Sequence, residues 1–175
     1  MSIERKGLAS FGGIETTVVG ADIQVGEKAP EFTVQAGDWS LVNALESTRG
    51  KVRIIGSLPS LNTSVCDRET RRFNQEATAL DENIVIIMVS TDLPLMAKSW
   101  CAAAGVDKVL VLSDHLDTNF GQSYGVLMKE LRILRRAVFV VDAGGVVVYA
   151  DYMASAGDEP NYEAVLSAAR AALKS

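Results

Sequence analysis

Cys66 is the residue of this chain best placed to act as a nucleophile, and the segment ahead of it, Pro59-Ser60-Leu61-Asn62-Thr63-Ser64-Val65, sets the terms of its chemistry. A cysteine is inert as a thiol and nucleophilic as a thiolate, a form favoured by a helix N-terminus and by a neighbouring cation. Thr63 stands at the spacing of an N-cap, where its hydroxyl can accept from first-turn amides and also bond a substrate oxygen beside the sulfur. Pro59, with a fixed φ and no N–H, can bend the chain over the sulfur and screen it from water. Two fates stay open to such a cysteine, since it serves equally as a small buried hydrophobe. Pro and Thr ahead of a helix are also ordinary turn and cap residues.

The flanking elements decide whether Cys66 reaches a helix start. Val52 to Leu58 is mostly apolar and β-branched, as in a central strand buried on both faces. From Cys66, the positions Thr70, Phe73, Ala77 and Leu80 recur at helical spacing, while Arg68, Glu69, Arg71, Arg72 and Glu76 fall largely on the other face. Cys66 is therefore expected in the first turn of an amphipathic helix at the carboxyl end of a strand, where open α/β sheets collect ligands.

Further along, Ile84 to Val89 reads as a second buried strand. Ser90-Thr91-Asp92 offers N-caps for a helix from about Leu93 to Ala104, closed by Gly105 and carrying Cys101 in its last turn. Short strands are expected at Phe32 to Val34 and Val109 to Leu112, with loop and short helix from Asp114 to Tyr124. A hairpin joins Ala137–Val141 to Val146–Tyr149, and a last helix spans about Asn161 to Leu173. Gly12-Gly13 between Leu8 and Ala21 predicts an N-terminal hairpin. Met88, Met96, Trp100 and Phe120 fit either core packing or an apolar collar or dimer contact.

A chain of 175 residues with 48% hydrophobic and 22% charged residues suits a single domain, residues 1–175, of α/β class: a mixed central sheet with helices on both faces plus the hairpin. A net charge of -5 argues against nucleic acid, and Arg132, Arg135 and Arg136 form only a small basic group read as a solvated face. No apolar run approaches the ~20 residues of a membrane span. No leader-like segment opens the chain, so cytoplasmic residence is the expectation. Two cysteines make no disulfide framework, and a bridge between them would be transient rather than structural. A metal site from Cys66, Cys101 and His115 lacks a Cys-x-x-Cys pair, and His115 reads as a surface residue.

The spacing Pro59-x-x-x-Thr63-x-x-Cys66 resembles the active-site signature of peroxiredoxins. The longer run Pro-Ser-Leu-Asn-Thr-Ser-Val-Cys, followed by Arg72-Phe73-Asn74, resembles their thiol peroxidase subfamily, of atypical two-cysteine type. Gly26 to Phe32, Ser90 to Pro94 and Arg136-Ala137-Val138 extend the likeness over nearly the whole chain. The resemblance implies a thioredoxin-like fold, Cys66 as peroxidatic cysteine, Cys101 as resolving cysteine, and Arg136 as the cation beside the thiolate. It also implies hydroperoxide substrates, thioredoxin as reductant and a homodimer, with no cofactor and no metal. Asn62 stands where the subfamily commonly carries Asp, though its amide can still form an Asx-type turn.

A redox-sensing binding module or a thiol-disulfide oxidoreductase is the competing reading. Dithiol exchangers, however, use Cys-x-x-Cys at the helix start, and Thr63 occupies the place of the first sulfur. Helix geometry adds one expectation. Cys101 lies about eight residues, or ~12 Å, along its helix, whereas a disulfide needs Cα atoms within roughly 7 Å. One or both of the cysteine-bearing segments must therefore unwind locally before a bridge to Cys66 can form, with the end near Cys101, where Ala102 to Gly105 can fray, the favoured one.

Overall fold

The computed structural model describes residues 2–175. Strands β1 (Glu4–Phe11) and β2 (Ile14–Val19) form the expected hairpin, longer at its start than the sequence suggests. Gly12 and Gly13 take φ values of 59° and 80°, as a tight two-residue turn requires. Then come β3 (Thr33–Gln35), β4 (Leu41–Asn43), α1 (Ala44–Ser47), β5 (Val52–Ser57), α2 (Ser64–Ala77), β6 (Ile84–Ser90) and α3 (Pro94–Ala104). The chain continues through β7 (Leu110–Ser113), α4 (Asn119–Ser123), β8 (Leu127–Met128), β9 (Ile133–Leu134), β10 (Ala137–Val141), β11 (Val147–Tyr152) and α5 (Tyr162–Ala172). The pair β8 and β9 has no counterpart in the sequence reading, because strands this short show no period.

Seven strands make the main sheet in the order β11-β10-β5-β6-β7-β3-β4. The run β5-β6-β7 is parallel and the flanking pairs are antiparallel, so the sheet is mixed, as expected. Every residue of β5 is buried. Successive crossovers in the same direction, β5-α2-β6 and β6-α3-β7, place α2 and α3 on one face. There they share a core with α5 that includes Phe73, Met88, Val138, Leu166 and Cys66. Phe32, Phe120, Tyr124 and Phe139 pack on the opposite face beneath α1, α4 and the small sheet β1-β2-β8-β9. Gly20, at φ 94°, allows the hairpin to dock: a Cβ there would lie 2.1 Å from the Gln122 carbonyl oxygen, a backbone atom that cannot yield. The hairpin thereby reaches the carboxyl end of β5.

Candidate active site

Strand β5 ends at Ser57, and the chain turns through Pro59 and Ser60 into α2. Thr63 is the N-cap, in extended conformation, and its Oγ1 accepts from the Cys66 N–H at 3.4 Å while donating to the Ser60 carbonyl at 3.1 Å. Cys66, Glu69, Thr70 and Phe73 form the buried stripe of the helix. Outside that stripe, Asp67–Arg71 and Arg72–Glu76 are exposed i,i+4 pairs, each contributing about 0.3–0.5 kcal/mol. Cys66 has no exposed surface.

A carboxylate from outside this segment holds the turn in shape. Asp92 accepts from Ser60 Oγ, the Leu61 N–H and Ser90 Oγ, each at 2.8 Å. This corrects two expectations. Asp92 and its neighbours do not cap α3, whose N-cap is Leu93, without a side-chain bond, followed by Pro94 in the first turn. Asn62 makes no Asx turn either: its N–H donates to Ser60 Oγ at 3.3 Å, and Ser60 and Asp92 shape the loop.

Arg136 arrives from the residue before β10. Pairing of Ala137 with Ser57 sets that register and brings the guanidinium to the start of α2. Its Nη2 donates to Cys66 Sγ at 3.2 Å and its Nη1 to Glu69 Oε2, while Nε and Nη2 donate to the Ala156 carbonyl at 3.3 and 3.1 Å. The Arg136–Glu69 pair is sealed from solvent, with side-chain exposures of 1% and 0%. A guanidinium so placed stabilises negative charge on the sulfur and on an oxygen beside it.

Two expectations drawn from residue type alone are overturned, the solvated face of Arg132, Arg135 and Arg136 and the polar-face placement of Glu69. Arg136 is not part of a solvated basic face; Arg135 is also largely covered, its guanidinium stacked 4.9 Å from the Tyr152 ring, and only Arg132 is exposed. Glu69 is on the buried stripe and not on the polar one. The signal that could have found it is its spacing, one turn after Cys66 on the same face. Burial pushes its carboxyl up to about 7, against the opposing pull of Arg136. Burial likewise works against the Arg136 charge, but Glu69 and then Cys66 outweigh it and raise its pKa.

Pro59 and Arg136 line a narrow cleft of about 10 Å³, closed by Ala9 and Ser10 of the hairpin and by the 153–156 segment. Pro59 is buried. Cys101 is a free, half-buried thiol near the end of α3, and burial raises its pKa. Trp100 is partly buried beside it, Met88 and Phe120 are core residues, and Met96 is exposed. His115 stands apart, half-buried, with Nε2 2.6 Å from Gln35 Oε1. Among the described residues, no three His, Cys, Asp or Glu side chains converge on a point that could hold a metal.

Residues 24–166 match the Redoxin family. The thiol peroxidase of Halalkalibacterium halodurans is 48% identical over 164 residues, covering 94% of this chain and 98% of that protein. That of Bacillus subtilis is 47% identical over 170 residues with the same coverage. Among solved structures, a peroxiredoxin-like protein from Aquifex aeolicus superposes with a TM-score of 0.83 at 33% identity, covering 95% of this chain and 98% of that one. A thiol peroxidase from Chromobacterium violaceum, 23% identical with a TM-score of 0.80 over 95% and 97% of the two chains, shares the fold. The chain belongs to the Redoxin family, within its thiol peroxidases.

Proposed function

We propose that this protein is a thiol-dependent peroxidase that reduces hydrogen peroxide and organic hydroperoxides at Cys66. The observation that carries the reading is the contact of Arg136 Nη2 with Cys66 Sγ at 3.2 Å, in the first turn of a helix capped by Thr63. The Cys66 thiolate attacks the terminal oxygen of the hydroperoxide; an S–O bond forms and the O–O bond breaks. The leaving oxygen takes a proton and departs as alcohol or water, leaving sulfenic acid on Cys66. Arg136 and the Thr63 hydroxyl hold the two oxygens and stabilise the charge as it shifts onto the leaving one. Pro59 and the hairpin exclude bulk water.

Cys101 then attacks the Cys66 sulfur, releasing water and leaving an intrachain disulfide, which thioredoxin reduces. Both thiols are free, and Cys101 is anchored within α3, in keeping with a bridge that forms only when the helix end opens. The reading extends to a homodimer working in the cytoplasm, with no cofactor. Exposed Leu93, Leu95 and Met96 at the start of α3 supply an apolar face that a second copy would cover, and mass in solution tests this.

Thioredoxin-linked peroxide turnover with Cys66→Ser and Cys101→Ser tests the chemistry. The first variant loses all reaction with peroxide; the second still forms sulfenic acid but is not recycled. Full activity of Cys66→Ser would overturn the reading. A covalent dimer on a non-reducing gel of the oxidised protein would overturn the intrachain bridge.

A further inference from the structure

One stripe of α2, made of Asp67, Arg71 and Asn74, fastens that helix to the segment carrying Cys101. Arg71 donates from Nε to Asp67 Oδ2 at 2.9 Å and from Nη1 to the Ala104 carbonyl at 3.1 Å, with its guanidinium carbon 5.7 Å from the Trp100 ring centroid. Asn74 Oδ1 accepts from the N–H groups of Asp107, at 3.2 Å, and Lys108, at 2.7 Å. Between these contacts, Gly105 closes α3 in the left-handed conformation, and Gly105 and Val106 both donate to the Cys101 carbonyl. The last carbonyls of a helix have no partner within it, and Arg71 supplies one from outside.

The two ends of α3 are secured differently. Its start has Pro94, with a fixed φ, in the first turn and follows Asp92, which is bonded to the loop ahead of Cys66. Its rear is held partly by apolar packing, with Trp100, Cys101 and Ala104 against the core ahead of buried Val106, and partly by polar contacts of a half-exposed guanidinium and an amide, which water can replace. Opening is thus directed to the Cys101 end.

We propose that the Arg71–Ala104 contact, braced by Asp67 and Asn74, is the latch that sets how fast Cys101 leaves α3 to meet the oxidised Cys66; this rests on the reading of Cys101 as the resolving cysteine. In that step the Cys101 thiol and the Cys66 sulfenic acid give one S–S bond and one water: the Cys66 S–O bond breaks and the thiol proton leaves with the hydroxyl. While the latch is shut, a second hydroperoxide competes for the sulfenic acid, giving sulfinic acid and an alcohol or water. Arg71 is therefore a positioning residue that divides Cys66 between recycling and irreversible oxidation.

The test is Arg71→Gln, with disulfide formation timed by acid quenching and thiol blocking after a pulse of hydrogen peroxide. Disulfide should form roughly two- to tenfold faster than in wild type, and the peroxide dose that converts half of Cys66 to sulfinic acid should rise by the same factor. Sulfenic acid formation, followed in a Cys101→Ser background, should keep its wild-type rate, a separation that general destabilisation would not produce. If Arg71→Gln does not fold, Asn74→Ala is read in the same way, with amide exchange at residues 105–108 also accelerated. A disulfide that forms at the wild-type rate overturns the latch alone, whereas oxidised wild type without a Cys66–Cys101 disulfide overturns the reading beneath it.

Discussion

Cys66 and Glu69 lie one turn apart on the buried face of α2 and share a single cation, Arg136, which donates from Nη2 to the sulfur and from Nη1 to the carboxylate. The guanidinium plane is what permits this, since its donors diverge in a fixed fork. The charge that helps the sulfur is thus oriented by a carboxylate that also partly offsets it.

Arg136→Lys keeps the charge and removes the fork. An ammonium cannot serve the sulfur, Glu69 and the Ala156 carbonyl in the same geometry. Reaction with hydrogen peroxide, measured by rapid mixing, should fall by about 100-fold or more, the scale seen when an oriented donor to a developing negative charge is lost. A rate near that of wild type would show that charge alone suffices.

Glu69 ties stability to pH. Burial raises its carboxyl from 4.5 to about 7, so the folded protein keeps a proton that the unfolded chain releases. The stabilisation this provides is full below about 4.5 and is lost as pH rises through about 7. Glu69→Gln cannot ionise, and its unfolding free energy in urea should change less across that window than the wild-type value. Asp114, raised to about 6 by burial, titrates in both proteins and cancels in the comparison. Parallel curves would refute the assignment. Glu69→Ala, which leaves buried Arg136 with only Cys66 and the Ala156 carbonyl, should cost about 1–3 kcal/mol at neutral pH.

Asp92→Ala releases Ser60 Oγ, the Leu61 N–H and Ser90 Oγ together. A loss of about 1.5–3 kcal/mol in unfolding free energy is expected. The reaction with peroxide should slow as well, because the loop that presents Thr63 loosens, and Asp92→Asn should restore part of both. Unchanged peroxide kinetics in a destabilised Asp92→Ala protein would confine the residue to a structural role.

The local chemistry of the site was legible because it is governed by neighbours in the chain. An apolar β-branched run ahead of Leu58 buries itself as β5, Thr63 caps at its usual spacing, and the period from Cys66 defines the inner face of α2. Arg136 could be named only through family likeness, and Glu69 was misplaced because a charged side chain on an amphipathic helix is ordinarily sorted to the solvent face. Asp92 was misplaced for a similar reason: Ser, Thr and Asp before a helix read as caps, and nothing local reveals that the carboxylate faces backward to Ser60.

What the sequence determined by itself was the strand-helix junction, the Thr63 cap and the place of Cys66 in the first turn behind it. What only the tertiary structure decided was the cation. Arg136 lies 70 residues beyond Cys66 and reaches it because β10 pairs with β5 in the register that sets Ala137 opposite Ser57. A one-residue slip would turn every side chain of β10 to the other face. That register follows from how whole strands bury their apolar faces against their neighbours, which no short stretch of residues encodes.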